Sequence, residues 1–187
     1  MDTRAYRIES YSAFTNGSFE VDMEVINTNK TKVFEDILKS PKPHCPVVNV
    51  SLDFLDEEKV LATELKAPFD VTKPSLFVAE GLIMYLGKMG KTKLLRDVSA
   101  VAGVGSVFIL QFMDPSQSEY AKTHPEVLDD GLSEDEARDN LSPLGWGEFE
   151  FFKYGDESLN YGRFPLDRFS VNSSFRFMLA KKVGNPE

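Results

Sequence analysis

SLFVAEGLIMYL, Ser75 to Leu86, sets one carboxylate, Glu80, inside an otherwise apolar run. A buried carboxylate without a partner is costly, so Glu80 has something to meet. Ser75 to Ala79 reads as a buried strand, which puts Glu80 at the strand's carboxyl end. The pattern recurs on both sides of it. Ser18 to Asp22 (SFEVD) is a short strand signal closed by Asp22; Val47 to Leu52 (VVNVSL) is a strand followed by Asp53; Ser106 to Phe112 (SVFILQF) is a strand with Asp114 just beyond.

Helical signals separate these strands. Glu24 to Leu38 carries Val25, Ile26, Val33, Ile37 and Leu38 at roughly helical spacing, before a proline-rich breaker from Ser40 to Pro46. Glu57 to Leu65 predicts a helix, the turn-rich PFDVTKP follows, and Lys91 to Val101 predicts another helix with leucines and valines on one face. Strands alternating with helices imply an α/β fold, a largely parallel sheet with helices on both faces. The C-terminal third differs. Pro115 to Asn140 is polar and acidic, with a helix predicted around Ser133 to Asn140, where Ser133 and Glu136 have capping-box spacing. Gly147 to Lys153 and Phe175 to Lys181 then predict an antiparallel pair at the sheet edge. No internal boundary stands out, and one domain is expected over residues 1–187.

Composition excludes several classes. Against 21 Lys and Arg stand 30 Asp and Glu, a formal charge of −9 with no basic stripe, so nucleic acid is not an expected partner. No apolar run has membrane-spanning length and no signal-peptide pattern opens the chain, so no membrane association is expected. The single cysteine, Cys45, allows no intrachain disulfide, and a cytoplasmic setting is the expectation.

In an open parallel sheet, ligands sit beyond the carboxyl ends of the strands. Asp22 is placed to accept hydrogen bonds from ribose hydroxyls, and Asp53 to accept from an adenine amino group with Phe54 against the ring. Any one of these acids has an alternative role as a cap for the helix that follows it. The set of four together favours an adenosine ligand.

Five motifs extend this reading. MDTRAYRI at the start, FEVD (Phe19 to Asp22) with Lys30 eight residues on, and AEGLIMYL (Ala79 to Leu86) resemble in order and spacing the leucine carboxyl methyltransferase family. LSPLGW (Leu141 to Trp146) and NYGR (Asn160 to Arg163) resemble its C-terminal part. The resemblance implies S-adenosyl-L-methionine as cofactor on a Rossmann-like class I methyltransferase fold with a seven-stranded sheet. It implies that Asp22 holds the ribose, Asp53 and Phe54 the adenine, and that Glu80 lies beside the methionine part, with Asp2 of the DTR motif also on the cofactor side. Arg4, with Arg7, suits a substrate carboxylate through bidentate guanidinium geometry, Tyr85 an acceptor pocket, and Arg163 an anionic substrate. The competing roles are surface ion pairing for the arginines, packing for Tyr85, and turns for Gly155 and Gly162.

The implied reaction is O-methylation of a carboxylate, on a protein C-terminal leucine or a small-molecule acid. A methyl sulfonium reacting with an anionic oxygen mainly requires positioning and exclusion of water, so no catalytic base is assigned. His44 and His124 are expected to be solvated, and Cys45 to be buried and inert. In the family, DTR follows a strand and a G-x-G turn; here Met1 directly precedes Asp2, so an N-terminal truncation that removes the first strand is expected. Two alternatives remain: a non-catalytic remnant that binds partners, and a nicotinamide-dependent oxidoreductase, for which the chain lacks G-x-G-x-x-G.

Overall fold

A computed structural model describes residues 2–117, 123, 131–159, 161–162 and 174–184. The chain divides into two compact units, Met1–Asp70 and Val71–Glu187.

In the first unit, β1 (Ser18–Asp22) and β2 (Val47–Ser51) pair in parallel, with Ser18 beside Val47 and Asp22 beside Ser51. Parallel neighbours need a long crossover, and the helix α2 (Glu24–Asp36) lies within it. A short turn of helix, α1 (Arg4–Arg7), precedes β1. The apolar residues that signal α2 in the sequence do not form its buried side. Val25, Ile37 and Leu38 are exposed, whereas the buried residues are Asn27 and Lys30. Asn27 Nδ2 donates to the carbonyls of Val50 (3.1 Å) and Asp22 (3.3 Å), which ties the helix to the ends of both strands. The helix expected over Glu57 to Leu65 contracts to α3 (Leu61–Glu64). At its expected start the backbone is held by a local bond, Asp56 Oδ1 accepting from Glu58 N at 3.0 Å, just after the turn in which Asp53 Oδ1 accepts from Leu55 N at 2.9 Å. Aspartates compete with a helix for the backbone in this way.

The second unit holds a four-stranded sheet in the order β3 (Leu76–Ala79), β4 (Val107–Met113), β6 (Phe175–Lys182), β5 (Trp146–Lys153). β3 and β4 are parallel, and β6 runs antiparallel to both β4 and β5, so the expected antiparallel edge is present. The helix α4 (Gly87–Val101) begins four residues before the expected start, because Gly87 and Gly90 hide its first turn from a propensity reading. Leu94, Leu95, Val98 and Val101 on α4 are buried, as are Phe108, Leu110 and Phe112 on β4 and Met178 on β6. At about 1.5–3 kcal/mol for each large side chain, this core is the main favourable term in the unit. The helix α5 (Glu134–Leu141) starts with the expected capping box: Ser133 Oγ accepts from Glu136 N at 3.1 Å, and Glu136 Oε2 accepts from Ser133 N at 2.8 Å. The described strands thus form a two-stranded and a four-stranded sheet, and no described strand pairs with the second edge of β1 or of β3.

Candidate functional site

The parallel register of the first unit brings two of the expected acids to the carboxyl end of its sheet. Asp22 ends β1 opposite Ser51, and Asp53 lies two residues beyond Ser51. The amide of Leu52 donates to the Asp22 carbonyl at 3.0 Å, so the backbones stay paired up to the residue before Asp53. Asp22 is half-buried; its Oδ1 accepts from Met23 N at 2.8 Å, and its Oδ2 has no partner among the described residues. Asp53 is exposed, with Oδ1 on Leu55 N and Oδ2 likewise open. Each acid therefore fixes its own turn with one oxygen and presents the other. Phe54 does not share this exposure: it is only 7% exposed, packed in the core of its unit.

Asp2 and Arg4, expected on opposite sides of a reaction, contact each other. Arg4 Nε donates to both carboxylate oxygens of Asp2 (3.0 and 2.9 Å), Nη2 lies 2.8 Å from Oδ2, and the Arg4 amide donates to Oδ1 at 2.8 Å. Burial pushes the Asp2 carboxyl up, but the hydrogen bonds and charge of Arg4 outweigh it and hold the group below the ordinary aspartate value. Arg7 donates to Thr3 Oγ1 at 2.7 Å. His44 is exposed, and its amide donates to the Ala5 carbonyl at 2.8 Å; Cys45 is buried, which pushes its thiol up.

In the second unit, Glu80 is exposed at the end of β3, not a core residue. The turn behind it is made by Gly81, whose φ of 63° is in the left-handed region that glycine enters at no steric cost. Gln111 Oε1 accepts from the Gly81 amide at 2.8 Å and pins that turn to β4. Sequence reasoning missed Gln111, although a polar residue between Leu110 and Phe112 was a visible signal. Tyr85, in a 3-10 turn (Ile83–Tyr85) that leads into α4, is 74% exposed. Asp114 is different from the other acids: it is buried, and its Oδ1 accepts from the amide and hydroxyl of Ser116 (3.0 and 2.6 Å), so it caps a turn. Gly155 and Gly162 both have positive φ (83° and 71°), as turns require. Arg163 and His124 lie outside the described residues.

Residues 1–99 match the family model of leucine carboxyl methyltransferase, more than half of the chain. The chain belongs to the leucine carboxyl methyltransferase family. It is 32% identical over 114 residues to a protein of Mycolicibacterium smegmatis named for S-adenosyl-L-methionine-dependent methyltransferase activity, covering 61% of this chain and 36% of that protein. A protein of Mycobacterium sp. (strain JLS) with the same kind of name is 26% identical over 183 residues, 88% of this chain and 59% of its own length. The chain thus spans between about a third and three-fifths of these relatives. Among solved structures, the CurJ carbon methyltransferase aligns over 89% of this chain and 41% of its own, with a TM-score of 0.54 at 11% identity. The fold is the α/β, Rossmann-like fold of class I methyltransferases. No helix among the described residues is long and apolar enough to cross a membrane.

Proposed function

We propose that this chain is part of an S-adenosyl-L-methionine-dependent methyltransferase whose acceptor is a carboxylate oxygen. The observation that carries the reading is the pair Asp22 and Asp53, each with one open oxygen, at adjacent carboxyl ends of parallel strands in a chain of this family. The donor set fits an adenosine. Ribose offers hydroxyl donors and adenine an amino donor, while ionised carboxylates only accept. Asp22 takes the ribose hydroxyls and Asp53 the adenine amino group, with Phe54 packed behind the Asp53 turn. The family resemblance assigns Glu80 to the ammonium of the methionine part. Asp2 acts from the cofactor side by fixing Arg4, and Arg4 orients the acceptor carboxylate, for which a guanidinium is the matching group. Tyr85 and Arg163 belong to the acceptor side.

When bound, S-adenosyl-L-methionine supplies a methyl group on a good leaving group. The acceptor is already anionic, so the chain's residues bind, orient and exclude water, and none has to remove a proton. The acceptor is a protein C-terminal leucine or a small-molecule acid. Calorimetric titration with S-adenosyl-L-homocysteine tests the first half: saturable binding is expected, and binding of a nicotinamide dinucleotide in its place sinks the reading. Transfer of a labelled methyl group tests the second. A carboxyl methyl ester releases its label as methanol in mild base, whereas a base-stable label means a different acceptor atom, and binding without any transfer leaves only a binding role.

A further inference from the structure

We propose that the buried Lys30–Glu20 pair is a positioning device for the Asp2–Arg7 segment and contributes little net stability. The inference rests on the reading above only in what the segment is for. Lys30 lies mid-way along α2 and Glu20 mid-way along β1; their side chains are 4% and 8% exposed, and Lys30 Nζ pairs with Glu20 Oε2. Glu20 Oε1 has no hydrogen-bond partner among the described residues. A helix packed on a strand ordinarily places aliphatic residues at such positions. Two charges buried there are typically no better than an apolar pair of the same size, so stability does not account for them.

What the ammonium touches does. Lys30 Nζ lies 5.3 Å from the ring centroid of Tyr6 and 5.2 Å from that of Phe34, and the two rings meet edge to face at 4.6 Å. A cation over an aromatic ring is attracted to it, more so when both are desolvated. Tyr6 belongs to α1, the four-residue turn that also carries Arg4, and Asp2 is bound to that turn through Arg4. A single turn has no stability of its own. It is held by its neighbours: Ala5 is buried with its carbonyl on the His44 amide, and Tyr6 is held by the Lys30 charge and Phe34. Glu20, on the strand, fixes where that charge sits. The pair therefore carries the register of β1 and α2 to the residues that hold Arg4.

The test compares the wild-type chain with the double variant Lys30→Met, Glu20→Leu and with Lys30→Arg. The single change Lys30→Met leaves a buried unpaired carboxylate, so the double variant is the informative one. Expected for the double variant are an unchanged or higher melting temperature and hydrogen exchange about tenfold faster or more across residues 2–8 alone, since a local opening leaves other amides protected. Lys30→Arg, which keeps a cation at the rings, retains the protection. Unchanged exchange over residues 2–8 overturns the proposal, and so does a fall in melting temperature with exchange rising throughout β1 and α2, which is a structural role. Affinity for S-adenosyl-L-homocysteine is read separately. If the wild type does not bind it, the functional reading fails while exchange still decides the fastening; if the wild type binds, an affinity unchanged in a variant with a loosened segment overturns the link to ligand binding.

Discussion

Asp22 and Asp114 look alike in the sequence, each an acid at the end of a strand, but their surroundings differ. Asp114 is buried with Ser116, whereas Asp22 keeps one oxygen open. Replacing Asp22 by Ala removes the acceptor for ribose, and lost hydrogen bonds to a charged group cost about 1.5–3 kcal/mol, so the dissociation constant for S-adenosyl-L-homocysteine is expected to rise roughly ten- to a hundredfold. Calorimetry reads that change, and an unchanged constant with an intact melt refutes the role. Asp2 gives a second prediction at this scale. Its folded-state value lies below the ordinary 3.8 because Arg4 outweighs burial. Its contribution to stability is then fully present above 3.8 and is lost as pH falls through the lower folded value. Carboxyl titration by NMR should show this depression, and Arg4→Gln should bring the value back up. The strand-end acids were legible because an apolar run with a terminal acid needs no tertiary knowledge. The Asp2–Arg4 contact, the burial of Phe54 and the use of Gln111 against Gly81 were not, since each depends on which way a side chain turns once neighbouring elements are in place.

Among the elements, the strands were the easiest to read, because β2 to β4 are short, mainly apolar runs and β1 alternates Phe19 and Val21 with Glu20. Helices were read less well. α2 exists where the apolar spacing implied, yet it buries Asn27 and Lys30, so tertiary bonding overrode the pattern. α5 shows the opposite case, where local chemistry decides: its capping box was visible in the sequence and is formed. Ser133→Ala is expected to cost about 1 kcal/mol, measured by urea denaturation, and Glu136→Ala less, because the Ser133 side chain is the N-cap acceptor. The end of β6 carries a second device. Lys182 is buried, with Nζ donating to the carbonyls of Ser99 (3.1 Å) and Leu144 and lying 5.5 Å from the Trp146 ring. Burial holds its ammonium below the ordinary lysine value of 10.5. Between the folded value and 10.5 the unfolded chain binds more protons at this group, so stability due to it rises with pH in that window and is lowest where both states are charged. Lys182→Met should remove this part of the pH slope in alkaline denaturation curves; an unchanged slope means that the buried lysine does not titrate in that range.

For the whole molecule, the count of strand neighbours decides where the fold is firm. β4 lies between β3 and β6, and β6 between β4 and β5, so only these two strands have a described neighbour on each side. β1, β2, β3 and β5 each have one. Backbone donors without a partner in the sheet turn to water, and they open at a lower free energy than those paired on both sides. β5 is protected in another way: a register shift between Gly147 and Glu150, with Glu148 at a φ of 49°, bends the strand, and charged side chains line it. Among the described residues β3 has no such defence. Its sequence is LFVA, Leu76 is exposed, and it leads directly to Glu80. Hydrogen exchange followed by mass spectrometry or NMR should therefore find the slowest amides in β4 and β6. β1 and β3 should split into protected and fast-exchanging amides, according to whether each N–H points at a neighbouring strand. Adding S-adenosyl-L-homocysteine should slow exchange near Asp22 and Asp53, because a ligand that binds only the folded state raises the free energy of opening. Uniformly slow exchange along β1 and β3 before any ligand is added would show that their second edges are covered in solution, and would overturn the expected split.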